Sequence, residues 1–212
     1  MFRKIAILST AVALSAGLLL TGSAVHASGT PIDASHYTVV CDTMHKGAMT
    51  FSPALVTNGT STVKVQIKGT VSGCEGGAAG QPAVTVLSGT ISGSLIGGAN
   101  NCASLTGTSP IGGYLTVTWK TVPPLKNPKS TITVAPFETS ASLQVPFNDF
   151  TENREFDMAN VTVNGAFAGV DGGKGSFAHI LSTEGFDGMY GVCATASGLK
   201  GLSFGSTEWY VG

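Results

Sequence analysis

The sequence predicts an all-β fold: an antiparallel β-sandwich or barrel of about nine strands with one short C-terminal helix, stabilised by disulfides. Three observations predict it. Glycine is abundant at 29 residues and only 11% of the chain is charged. Short runs rich in Val, Thr and Ser recur with turn signals between them, which is strand chemistry. No long stretch combines Ala, Glu, Lys and Leu as a helical chain would.

The first 27 residues stand apart. Arg3 and Lys4 precede the apolar run "IAILSTAVALSAGLLL", and "AVHA" places small side chains at Val25 and Ala27. This is the pattern of a secretory signal peptide, removed on export. The reading therefore divides the chain into a signal peptide, 1–27, and a single secreted domain, 28–212. That domain has 9 basic against 12 acidic side chains. Such a balance excludes the basic field that nucleic acid or anionic lipid demands. No later stretch approaches the roughly 20 apolar residues of a spanning helix, so no transmembrane anchor is expected in the mature chain.

Along the domain, "TVKVQIKGTVS" (62–72) alternates with period two, turning Val63, Val65, Ile67 and Val71 to one face and Lys64, Gln66, Lys68 and Thr70 to a wet one. The preceding run, 39–51, alternates less cleanly, with Val39, Cys41, His45, Met49 and Phe51 assigned to the buried side. "SPALVTNGTS" supplies the turn of a long hairpin. Seven further strand runs follow: "VTVLSGTISGSLI", "YLTVTWK", "STITV", "ASLQVPF", "EFDMANVTVNGAFAG", "GSFAHIL" and "GLKGLSFGSTEWYV". "VPPLKNPKS" breaks the pattern by proline and "GVDGGKGS" by glycine, the latter read as a type I′ hairpin turn at Gly172 and Gly173. In "STEGFDGMYGVCAT", Phe186, Met189, Tyr190 and Cys193 fall at i, i+3, i+4 and i+7, which predicts the helix.

Four cysteines, Cys41, Cys74, Cys102 and Cys193, all lie after the signal segment. An even number in an exported chain, with no C-x-x-C pair, reads as two disulfides rather than a metal site. An up-and-down order brings Cys41 to Cys74 and leaves Cys102 for Cys193. Parity opposes this, because Cys41 has the buried parity of its strand and Cys74 the exposed parity of its own. A slip at Gly73 would reconcile them; the rival is Cys41 with Cys193 and Cys74 with Cys102.

Chemistry is sparse. "GLSFG" (201–205) fits the G-x-S-x-G elbow of serine esterases, but no histidine follows Ser203 and no βαβ unit precedes it, so no catalytic residue is assigned. His45 and His179 share parity with apolar neighbours, and two readings follow. Each is a partly buried histidine satisfied by a hydrogen bond, or both face one cavity lined by Met49, Phe51, Trp119 and Phe177 that takes a small apolar ligand. "FNDFTENREFD" (147–157) gathers four carboxylates around Arg154 without the order of a calcium loop, and reads as a charged loop. No cofactor and no metal are implied.

The motifs "CDTM", "KGTVSGC", "GTISGSL", "NNCASL", "LTVTWK" and "CATASGLKGLSF" together make the chain resemble uncharacterised exported all-β proteins of actinobacteria. The resemblance implies an exported all-β domain and transfers no site residue. The function expected is a non-enzymatic binding or interaction role in the cell envelope or medium, its partner an unknown envelope component. The alternative is a carrier of a small apolar ligand.

Overall fold

The computed structural model describes residues 30–105, 112–134, 141–142, 155–158, 161–174, 176–182 and 186–212. The expected signal segment and most of the acidic run 147–157 lie outside these residues. Among these residues are ten strands and one α-helix: β1 (Thr38–Leu55), β2 (Thr62–Gly77), β3 (Thr85–Ala99), β4 (Gly112–Val122), β5 (Lys129–Val134), β6 (Ala141–Ser142), β7 (Glu155–Met158), β8 (Val161–Gly165), β9 (Phe177–Ser182), α1 (Phe186–Cys193) and β10 (Leu199–Val211). All strands join one antiparallel sheet, in the order β6-β7-β9-β10-β1-β2-β3-β4-β5-β8.

The run 155–169, expected as one strand, is two. β7 pairs with β9 on one flank of the sheet, and β8 pairs with β5 on the other. Met158 and Val161 are three residues apart, so at most about 11 Å separates them. The sheet must therefore curl until its flanks approach, in the manner of a barrel. The strands around Gly172 and Gly173 are likewise not a hairpin. Both glycines have positive φ, but β8 and β9 pair with other strands.

The inner face is apolar. Ile91, Leu95, Leu115, Val117, Val71 and Trp209 are each 4% exposed or less and belong to one continuous core. At one end, Phe167 stacks edge-on against Trp119, with centroids 5.0 Å apart, and against Tyr37. Trp119 donates its indole N–H to Ser130 Oγ at 2.7 Å, and Ser130 in turn donates to the Ala166 carbonyl. Gly89 lies under the indole: a Cβ there would sit 2.6 Å from Trp119 Cζ3, so only glycine fits.

At the other end, α1 buries Met189 and Cys193 and leaves Gly188 and Gly191 exposed, as its spacing predicted. The Cys102–Cys193 disulfide ties it to a single 3-10 turn, Cys102–Leu105, after β3. Next to this turn, buried Asn100 accepts from Ser61 N–H through Oδ1 and donates from Nδ2 to the Ala54 carbonyl. It thereby clamps the β1–β2 connection to the end of β3.

Cys41 and Cys74 are directly opposed in β1 and β2, with Cα atoms 4.0 Å apart, and bonded. The parity conflict is resolved by a shared slip. Gly73 has a φ of 63°, Val71 and Cys74 both turn inward, and β1 slips in step, burying Cys41 and then Met44. A bulge follows at Lys46 and Gly47, which face only Gly69 across the ladder. His45 is consequently displaced to the outer face. This corrects the buried position expected from its parity.

Candidate interaction surface

Of the residues expected to line a cavity, three share the inner face and one, His45, is turned away from it. Met49, Phe51 and Trp119 are buried on the inner face, with the Trp119 N–H engaged by Ser130. His45 is exposed on the opposite side of the sheet, its Nε2 2.9 Å from Ser72 Oγ. The side chains of Phe177 and His179 lie outside the described residues. In register, Phe177 is opposite Tyr210, and His179 stands between Glu208 of β10 and Asp157 of β7. Among the described residues no group of three or more His, Cys, Asp or Glu is placed to hold a metal ion. Ser203 sits in the middle of β10, exposed and opposite Ala48, rather than on a strand-to-helix turn.

The outer face of β2, β3, β4, β5 and β8 is organised. Because the ladders run in register, its side chains fall into cross-strand rows. One row is Gln66, Ser94, Tyr114, Thr133 and Thr162; the next is Lys68, Ser92, Thr116, Thr131 and Asn164; the third is Thr70, Thr90, Thr118 and Lys129. Lys64 lies beside Ile96 at one border and Lys120 beside Ser88 at the other. Adjacent strands are about 4.8 Å apart and successive outward residues about 6.7 Å, so these hydroxyls form a two-dimensional lattice. Tyr114, 64% exposed, stands within it.

The lattice strands carry an excess of cations. β2, β3, β4, β5 and β8 contain Lys64, Lys68, Lys120 and Lys129 but only one carboxylate, Glu75, at the far end of β2. The remaining strands mix the two signs, with Asp42, Glu155, Asp157 and Glu208 beside Lys46 and Lys200. A depression of about 300 Å³ opens on the same face, lined by Ala48, Thr50, Gln66, Ile67, Lys68, Ser92 and Gly93. Ala48, Ser92 and Gly93 have little or no side chain, which leaves the hollow beside the Lys68 ammonium.

A second, wider groove of about 830 Å³ runs past the β1–β2 end, where His36, Glu75 and the exposed Val170 line it. The lead-in that carries His36 is packed: Ala34 and Tyr37 are buried, and Ile32 bridges to Leu125. Nearby, Ser35 N–H donates to the Asp33 carboxylate and holds its pKa below the usual aspartate value.

Wet positions on β2 were legible in the sequence, but the lattice was not, since it exists only once five strands are in register. Ser130 and Asn100 were also missed, because nothing in a lone Ser or Asn of a β protein marks it as buried. Compared with known protein families, with curated proteins and with solved structures, the chain finds no match in any of the three.

Proposed function

We propose that the chain is exported and that its mature part, 28–212, is a non-enzymatic binding domain of the cell envelope or medium. It engages its partner with the outer face of β2–β5 and β8. The observation that carries this reading is the register-aligned hydroxyl lattice with lysines at its borders. Two disulfides suit an extracytoplasmic setting, and no helix among the described residues is long and apolar enough to cross a membrane. The outward position of His45, across the sheet from buried Met49, Phe51 and Trp119, favours this reading over a carrier with His45 in its lining.

Two measurements test it. Purified domain is cosedimented with envelope isolated from its own host, alongside a Ser92→Glu/Thr131→Glu variant that places two carboxylates, two strands apart, at the lattice centre. Both residues are outward, so circular dichroism and the melting curve should match wild type. We expect retention of wild type and at least a tenfold loss in the variant. Equal retention of the two overturns the reading. So does a native mass that exceeds the denatured mass by one discrete small molecule, which is the signature of a carrier.

A further inference from the structure

Resting on the binding role just proposed, we infer that the partner of this face is an anionic polysaccharide. The spacing of the lysines decides between a small anion and a polymer. Lys64 and Lys68 are four residues apart on one strand, about 13 Å, and Lys68 and Lys129 lie three strands apart, about 14 Å across the sheet. These separations exceed the Debye length of roughly 8 Å at physiological salt. No single small anion bridges them, whereas a chain with repeated negative groups meets each in turn. Glu75, seven residues beyond Lys68 along β2, is about 23 Å away and does not neutralise the field.

What lies between the lysines selects the polymer. Thr90, Ser92, Ser94, Thr116, Thr118, Thr131 and Thr133 offer hydroxyls that both donate and accept, the complement of a polyol. Tyr114 presents an exposed aromatic face on which a sugar ring can stack. The hollow beside Lys68, with Thr50, Gln66 and Ser92 around it, is a seat where a single ring would meet three polar groups and one cation. Nucleic acid fits poorly: the face has no arginine and one aromatic, against a phosphate every few ångströms. An anionic bilayer also fits poorly, because its binding surface needs apolar side chains that insert, and the centre of this face holds threonines.

The test uses two quadruple variants of equal net charge. Lys64→Gln/Lys68→Gln/Lys120→Gln/Lys129→Gln removes the lattice lysines. Lys46→Gln/Lys126→Gln/Lys174→Gln/Lys200→Gln removes four others. Each is run through gels containing polygalacturonate or neutral dextran, and each is cosedimented with host envelope at 50 and 200 mM salt. The inference expects wild type and the second variant to be retarded by polygalacturonate and not by dextran. Their affinity should fall about tenfold or more across that salt range. The first variant should lose at least tenfold at low salt. Equal weakening of both variants overturns the inference, because net charge alone then explains binding. Envelope retention that is indifferent to salt and to the lattice lysines overturns it while leaving the binding role intact. Absence of both envelope retention and polygalacturonate retardation overturns the two together.

Discussion

Ser130 shows how one hydroxyl organises an end of the molecule. It is fully buried, accepts the indole N–H of Trp119 and donates to the carbonyl of Ala166. Replacing it by Ala leaves two buried groups unpaired, each a penalty of about 1–3 kcal/mol. We expect Ser130→Ala to lower unfolding stability by about 2–4 kcal/mol in urea, with no change in strand content. Trp119→Phe removes the donor, so adding Ser130→Ala to that background should cost distinctly less than in wild type. An unchanged cost would mean that the indole bond contributes nothing. His45 carries the opposite lesson. Parity placed it inside, but the twist at Gly73 and the bulge at Lys46 and Gly47 turned Met44 inward and His45 out. Only Gly47 hinted at that bulge, and a glycine in a strand is too common in this chain to locate one.

At the scale of elements, legibility followed regularity. β2 and the helix were plain because each keeps one period throughout: Val63, Val65 and Ile67 on the strand, Met189 and Cys193 on the helix. The split of 155–169 was not, because both halves read as strand and only tertiary closure assigns them to opposite flanks. The disulfides lock different things. Cys41–Cys74 joins neighbours in a hairpin and closes 33 residues, whereas Cys102–Cys193 closes 91 and pins α1 against the β3 end. Chain-entropy reasoning assigns about 3.7 kcal/mol to the first and about 4.6 kcal/mol to the second. We therefore expect the double serine replacement at 102 and 193 to cost about 1 kcal/mol more than that at 41 and 74, measured by equilibrium unfolding. Hydrogen exchange should separate them further. Losing the long-range bond exposes the amides of α1, while losing the hairpin bond leaves them protected. If α1 stays protected without Cys102–Cys193, its docking rests on Met189 packing alone.

At the scale of the whole molecule, the sheet is assembled from opposite ends of the sequence. β1 and β10 pair at its middle, with Val39 opposite Val211 and Cys41 opposite Trp209, and every other strand is laid outward from that seam. Such non-local pairing incurs its loop-closure entropy before contacts compensate it, which makes folding slow and dependent on the last strand. The four residues 209–212 concentrate that dependence. Trp209 is 2% exposed and Val211 fully buried, and Gly212 N–H donates to buried Ser176 Oγ at 2.9 Å. Loss of the Trp209 side chain alone costs about 3–5 kcal/mol, a large share of the 5–15 kcal/mol that holds a typical domain folded. Val211 and the Gly212 bond add to it. A chain ending at Glu208 should therefore fail to reach the native state, losing the near-ultraviolet signal of the packed aromatics and urea cooperativity, while a Tyr210→Ser variant, half-buried on the other parity, should fold. A cooperative transition in the truncated chain would show that the seam between β1 and β10 is not what closes the sheet, and that β2 to β5 can hold the lattice face in register without it.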